Sequence, residues 1–268
     1  MLFRSLLGAG ALVRDFTLRP EQMALTLAAG LGTQAACVRV LGLARVGILS
    51  AVITCLGLAI LLRADNLWAH PLAAALAVAS KFAIRAGGKH LFNPGNLGVI
   101  AGVALMPGAW ISPGQWGSDI ACAGWVVALG ALVASRARRL DTSWTFLACY
   151  VGLGAARVAW LGYDWAVLVH QLQSGALLLF AFFMISDPMT TPNHRGARLA
   201  HAAVVAAAAF AWQFALHMPN GLVWALFVAT PLVPLLDCVL RAERFKWRDN
   251  HGLPTPGARA PRTTTSVG

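Results

Sequence analysis

The chain predicts an all-α fold: a polytopic transmembrane bundle of about nine helices, followed by a disordered C-terminal tail. Three observations carry this expectation. Hydrophobic residues make up 58% of the 268 residues and charged residues only 12%. Apolar runs such as 46–62, 120–135 and 221–240 have the length that crosses a bilayer, whose hydrocarbon core of about 30 Å needs roughly 17–25 helical residues. The polar residues gather at the ends of these runs, as they must where lipid is the solvent and backbone polar groups have to be satisfied within helices.

In order along the chain, hydropathy predicts membrane segments at 21–39, 46–62, 67–84, 97–111, 120–135, 144–160, 165–185, 199–216 and 221–240. The fourth contains Pro107 and Gly108, which predict a kinked or partial helix. The eighth is rich in alanine over 200–211, a small face suited to close helix packing. The ninth contains Pro231 and Pro234, which predict a kink. These segments form one domain, 21–240. It is preceded by an N-terminal segment, 1–20, whose apolar stretch 6–13 is too short to span and suits an interfacial helix. No signal-peptide cleavage pattern follows that stretch. The domain is followed by a basic, Pro/Thr-rich tail, 241–268, without apolar periodicity.

The net charge of +11 would suit nucleic acid, but its placement points to a membrane instead. Lys81, Arg85 and Lys89 cluster, then Arg136, Arg138 and Arg139, then Arg195 and Arg198, then the tail from Arg241. The intervening loops at 113–119, 161–164 and 218–220 carry neither lysine nor arginine. This alternation is what the positive-inside rule predicts. It puts the C-terminus and the loops 85–96, 136–143 and 186–198 in the cytoplasm, in a multi-pass protein of a bacterial inner membrane. Arg4, Arg14 and Arg19 break the pattern at the N-terminus.

The five cysteines are too scattered for a metal or redox motif and read as small apolar filler. No metal site is expected. No Gly-rich dinucleotide fingerprint and no iron–sulfur cysteine spacing is present, so the chain is not a whole NADH oxidoreductase.

Three polar clusters carry candidate chemistry. In Arg85-Ala-Gly-Gly-Lys-His-Leu-Phe-Asn-Pro-Gly-Asn96, glycines permit close approach, Pro94 fixes a turn, and Asn93 and Asn96 can cap the following helix. Exposed helix-start amides beside Arg85, Lys89 and His90 would suit an anion. A purely structural cap carrying positive-inside charge competes with that reading. In the seventh segment, His170, Gln171, Gln173 and Ser174 are costly to bury unpaired and form a candidate intramembrane polar site; His170, Gln173 and Ser174 would share one helical face. Inter-helix hydrogen bonding is the plainer explanation there. In Ile185-Ser-Asp-Pro-Met-Thr-Thr-Pro-Asn193, Ser186, Asp187, Thr190 and Thr191 stand in a rigid polar turn, with Arg195 and Arg198 beyond. Asp237 and Arg241, four residues apart, predict a helical ion pair. The units 67–106 and 165–216 share an outline: a helix, a polar loop with Asn and Pro, and a second apolar run.

Gly88-Lys-His-Leu-Phe-Asn-Pro94, Ser186-Asp-Pro-Met-Thr-Thr-Pro192 after Phe-Phe-Met, and Pro231-Leu-Val-Pro-Leu-Leu-Asp237 together resemble the NqrB/RnfD family. These are membrane subunits of the sodium-pumping NADH:quinone oxidoreductase and of the Rnf complex, and the resemblance is strongest to short RnfD-like members of the UnbU type. It runs over about 67–237 and implies a bundle of about ten helices, flavin cofactors, and electron transfer coupled to Na⁺ or H⁺ movement with other membrane subunits. It also implies that Arg85, Lys89, His90, Asn93, Asn96, Ser186, Asp187, Thr190 and Thr191 could surround a non-covalent flavin, riboflavin or FMN. Two departures stand out. The family attaches FMN covalently to a threonine between the Asn-Pro turn and the next long helix. Here the stretch after Met106 has no threonine before Thr142, so no covalent FMN is expected. The first family helix is also reduced, to 1–13, which would account for the N-terminal charges. A redox-silent permease or small-molecule transporter, or an assembly partner without ligand, is the rival expectation on the same scaffold.

Overall fold

A computed structural model describes residues 19–43, 47–112 and 120–245, without the side chains of 120–123 and 125–126. The expected interfacial helix near the N-terminus lies outside the described residues. So do residues 246–268 of the tail expected to be disordered, and residues 113–119 of the stretch read for covalent attachment.

Every segment expected from hydropathy is helical. They are α1 Pro20–Val40, α2 Ile48–Leu61, α3 Ala69–Ala83, α4 Pro94–Leu105, α5 Ile120–Arg136, α6 Leu140–Leu161, α7 Trp165–Leu172 with α8 Gly175–Leu179, α9 Arg195–Phe214, and α10 Gly221–Ala229 with α11 Leu232–Val239. Two strand pairs, β1 Leu62–Ala64 with β4 Ala109–Ile111 and β2 Arg85–Ala86 with β3 Lys89–His90, are antiparallel clips at helix ends. The protein is an all-α, multi-pass membrane protein. Helices α1, α6 and α9 are each long and apolar enough to cross a bilayer; the pairs α7–α8 and α10–α11 qualify as bent spans.

The bundle has two chemically different ends. At the hairpin end, β1 pairs with β4 and Gln22 at the start of α1 donates to Ala64 O at 2.9 Å. Exposed Trp68, Trp110, Trp160, Tyr163 and Trp165 stand there, as interfacial aromatics do at a membrane boundary. At the polar end, the 85–93 turn, the 186–194 turn, the start of α6 and the residues after α11 meet. Arg39, Arg85, Lys89, Arg138, Arg139, Arg195, Arg198 and Arg244 all lie at this end, whereas Arg19, Arg63 and Arg157 lie towards the other.

Small residues set the helix spacing. A Cβ on Gly98 of α4 would stand 2.9 Å from Ala73 O and 2.7 Å from Ala77 Cβ, so only glycine lets α4 approach α3 this closely. On α9 the face Ala202, Val205, Ala206 and Ala209 is wholly buried, as the alanine run predicts. Large apolar side chains fill the middle: Phe146 lies 5.0 Å from Phe180 and 5.8 Å from Tyr150, ring centre to ring centre.

One expectation is met and two are corrected. The fourth segment stops as a helix at Leu105: Pro107 and a left-handed Gly108 (φ +73°) turn the chain into β4. The seventh is not one helix. It breaks after Leu172 and resumes at Gly175 with a 56° bend: Gln173 N makes the last helical bond, to Val169 O, and Ser174 takes an extended backbone to start α8. His170, Gln173 and Ser174 therefore share no continuous helical face; His170 and Gln173 are exposed, and Gln171 and Ser174 are partly buried. Third, Asp237 pairs with Lys89 rather than with Arg241. The ninth segment does bend, by 45°, where Thr230 and Pro231 separate α10 from α11.

Candidate functional site

The 85–93 turn is built by its glycines. Gly87 and Gly88 have φ of +56° and +80°, a conformation that side-chained residues rarely adopt, and they reverse β2 into β3. The Arg85 guanidinium donates to Gly88 O at 2.9 Å and stays exposed. Asn93 then caps α4: its Oδ1 accepts from Asn96 N at 3.0 Å, and Pro94 occupies the first helical position.

The second turn is shaped by a local change of helix type. Phe180–Met184 forms one π-helical turn, in which Ile185 N reaches back to Phe180 O at 3.0 Å. Such turns recur at functional sites because they re-aim the groups after them. Here Met184 O lies 3.4 Å from Asn93 Nδ2. Asp187 then organises the turn: Oδ1 accepts from Met189 N at 2.9 Å, and its own carbonyl accepts from Thr191 Oγ1 at 3.0 Å.

These two turns, distant in sequence, are in direct contact. Asn93 Nδ2 donates to Asp187 Oδ2 at 3.2 Å, and His90 Nε2 stands 3.6 Å from the same oxygen. The Lys89 ammonium is buried and donates to Thr191 O at 2.9 Å and to Asp237 Oδ2 at 2.8 Å. Asp237 Oδ1 accepts from Asn193 N at 2.7 Å, so one carboxylate on α11 ties both turns to the last helix. Asn96 donates to Val223 O of α10 at 3.2 Å. Ser186 and Thr190 face inward: Ser186 Oγ donates to Phe182 O at 2.6 Å, and Thr190 Oγ1 lies 3.4 Å from Asp187 O. The expected residues 85–96 and 186–191 are thus assembled at one end. His170, Gln171, Gln173 and Ser174 lie on the α7–α8 break, towards the other half of the span.

Three contributors were not singled out from the sequence. Arg139, buried before α6, donates from Nε to Thr191 Oγ1 at 3.0 Å and lies over the Phe245 ring at 5.4 Å. Arg198 donates to Asp141 Oδ2 at 2.7 Å and to Asn193 O at 2.6 Å. Asn193 lines the cleft described below, and its Oδ1 is buried without a hydrogen-bond partner among the described residues. The clustering of arginine was visible in the sequence; which arginines turn inward was not.

Burial sets the electrostatics. Desolvation lowers the Lys89 pKa, and the Asp237 carboxylate restores it only in part. Desolvation, with the neighbouring Arg198 charge, brings Arg139 down to about 10. Burial alone would raise the Asp187 pKa, but His90, the Met189 amide and Asn93 outweigh it and hold that carboxyl below the usual range.

Between the 86–91 turn, α11 and the residues after it lies a cleft of about 310 Å³. Lys89, His90, Asn193, Asp237 and Arg244 are polar residues in its lining, and Leu91, Met189, Val233 and Pro234 supply apolar wall. Arg244 closes one side by donating to Gly87 O. The cleft's lining combines cations, one carboxylate, an asparagine and an apolar surface, a combination suited to a planar polar heterocycle or an anionic group on it.

A model of the NQR2, RnfD, RnfE family matches residues 108–246. The match includes the 186–193 turn, Asp237 and Arg244, and begins beyond the 85–96 turn. Among curated proteins, the chain is similar to the D subunit of the ion-translocating oxidoreductase complex from Stutzerimonas stutzeri, 33% identical over 99 residues, which is 37% of this chain and 28% of that protein. It is 36% identical over 67 residues to the same-named protein of Tolumonas auensis, 25% of this chain and 19% of the relative. It is 27% identical over 103 residues to that of Haemophilus influenzae, 38% of this chain and 27% of the relative. The chain therefore spans less than a third of each of these relatives. With more than half of its residues matched by the family model, the chain is a member of the NQR2, RnfD, RnfE family.

Proposed function

We propose that this protein is an RnfD-like membrane subunit of an ion-translocating, electron-transferring complex, and that its polar-end cleft holds a non-covalent flavin, riboflavin or FMN. The observation that carries the flavin reading is the cleft itself: two polar turns drawn together by Lys89 and Asp237, with Asn193 in its wall and the Oδ1 of that residue buried without a partner among the described residues. The names of the relatives support the subunit role. When bound, a flavin supplies reversible one- and two-electron transfer. The chain's own groups would then do four things. Asn193 Oδ1 would accept a hydrogen bond from the ring edge. His90 and Arg244 would favour electron density at the carbonyl edge or a phosphate. Leu91, Val233 and Pro234 would exclude water from one ring face. Lys89 would act mainly through Asp237, because its ammonium is already committed to that carboxylate and to Thr191 O.

In this reading the polar end faces the cytoplasm of a bacterial inner membrane, with the C-terminus inside. The support is the crowding of lysine and arginine at that end and the aromatic residues at the other. A single-cysteine variant at Arg195, exposed beside the site, is expected to resist an impermeant thiol reagent in intact cells. Labelling from outside would reverse the orientation.

The test of the flavin reading is the visible absorption of the purified full-length chain, before and after denaturation. A flavin spectrum released into the supernatant is expected, with no fluorescent protein band after SDS denaturation. Asn193→Leu is expected to lower flavin occupancy roughly tenfold, the effect of losing one buried hydrogen bond, while Arg259→Ala in the tail leaves it unchanged. A colourless, folded protein that assembles with partner subunits would instead favour the redox-silent permease or assembly role. The two bent spans are compatible with that alternative, since discontinuous helices also build transport sites.

A further inference from the structure

The strongest unexplained feature lies away from the cleft and outside the family-matched residues. Helix α1 buries Gln22, Thr26, Gly30 and Gln34, a stripe at four-residue spacing that is mostly polar within a membrane bundle. The stripe lies against α3, and three observations set their register. Thr26 Oγ1 is 3.3 Å from His70 Nδ1. A Cβ on Gly30 would meet Ala74 Cβ at 3.8 Å and Val78 Cγ2 at 3.7 Å. Both helices run from the hairpin end to the polar end. One turn further on, the same faces bring Gln34 opposite Lys81.

Both side chains at that level are buried, Gln34 at 2% and Lys81 at 7% exposure. Neither Gln34 amide atom nor the Lys81 ammonium has a hydrogen-bond partner among the described residues. Asp187 is within electrostatic reach of Lys81, but its oxygens are engaged by Asn93, the Met189 amide and His90. Cys37 and Cys55 are the other groups within reach of Lys81. The level therefore offers the ammonium and amide N–H donors, a formal positive charge and a single amide acceptor, in surroundings where an uncompensated charge is severely unfavourable. Water could satisfy the amide but would leave the charge unbalanced. The space is small. Towards the hairpin end the seam is closed where the Gly30 backbone meets Cys55 Sγ, with no room for a Cβ between them.

We propose that Lys81 and Gln34 form a buried binding site for one small monovalent anion of chloride size, between α1 and α3 near the polar end of the bundle. Lys81 supplies the charge and the Gln34 amide nitrogen supplies a second donor. One ammonium balances one negative charge, so a doubly charged anion would bring uncompensated charge of its own, and the closure at Gly30 and Cys55 makes the site a pocket rather than a path across the membrane. The site is independent of any flavin in the cleft.

The experiment uses the full chain purified in detergent and exchanged into gluconate buffer. Radiolabelled chloride is titrated by equilibrium dialysis, with sulfate as the size and charge control. Saturable binding of one chloride per chain is expected, competed by bromide and not by sulfate. Lys81→Met should abolish it, Gln34→Leu should weaken it roughly tenfold or more, and Arg244→Ala should leave it unchanged. Absence of saturable chloride binding to the wild-type chain would overturn the proposal, as would binding retained in Lys81→Met. If Lys81→Met fails to fold, Gln34→Leu decides: wild-type affinity in that variant is also fatal to the site.

Discussion

Two of the places where this bundle buries charge solve the same physical problem differently. Around the cleft Lys89 meets Asp237 and Thr191 O, Arg139 meets Thr191, and Arg198 meets Asp141 and Asn193 O, with Arg198 Nε and Asn193 Oδ1 left without a partner among the described residues. Between α1 and α3, Lys81 and Gln34 are just as buried and meet no partner among the described residues. Cations paired with acceptors hold parts together, whereas a buried charge with no partner calls for something from outside. The first region therefore reads as the clamp that fixes three separate segments around the cleft, and the second as a receptor for a small ion.

The comparison can be broken most severely at Asp237. Asp237→Ala would leave Lys89 buried without its counter-charge and free the Asn193 amide. It is expected to destabilise by about 3 kcal/mol, the low end for a broken buried pair because the carboxylate is one-fifth exposed. Thermal unfolding in detergent measures this. The double variant Lys89→Met/Asp237→Leu should recover much of the loss; equal destabilisation of the single and the double variant would show that the pair is not the clamp.

Gly98→Val tests whether the α3–α4 contact positions the first turn. The added methyls meet Ala73 O and Ala77 at under 3 Å, and overpacking of this kind costs about 1–3 kcal/mol. The expected signature is a lower unfolding temperature with weakened cleft occupancy, since Asn93 caps the helix that must shift.

Acid sharpens the contrast. The Asp187 carboxyl is held below its ordinary value in the folded state, so below about pH 5 the unfolded chain takes up more protons than the folded one. The stability it contributes is present above the unfolded pKa and is lost as pH falls through the folded one. Asp187→Asn should flatten the acid limb of a plot of unfolding temperature against pH. An unchanged acid limb would remove Asp187 from the clamp's electrostatics.

Smaller effects are expected at the periphery. Thr191→Val removes the hydroxyl shared between Arg139 and the Asp187 carbonyl and should cost about 1 kcal/mol by the same unfolding assay. Arg244→Ala, at an exposed contact on Gly87, should stay within about 0.5 kcal/mol of wild type. A larger loss would mean that the residues after α11 are part of the clamp.

The nine helical segments, their approximate bounds and the sorting of arginine and lysine to one end were legible in the sequence. They follow from apolar length and from the energetics of charge near a bilayer, and both are properties of a residue and its close neighbours in the chain. The kink at Thr230–Pro231 was legible too, because proline removes a donor wherever it stands. The break at Gln173–Ser174 was not: neither residue forbids a helix, and only the packing around α7 and α8 selects the bent form. Asp237 shows the limit most clearly. Four residues before Arg241, it had a local partner to predict, yet its carboxylate binds Lys89 across the bundle. Lys89 is buried and would otherwise carry an uncompensated charge, whereas a partner at a helix's exposed end can be solvated by water. The stripe of Gln22, Thr26 and Gln34 was written in α1 from the start, and it gained meaning only when α3 set His70 and Lys81 against it. Local chemistry in the sequence determined which segments enter the membrane and which end gathers charge. Tertiary structure alone decided which buried charges are paired, because pairing depends on the distance between groups far apart in the chain.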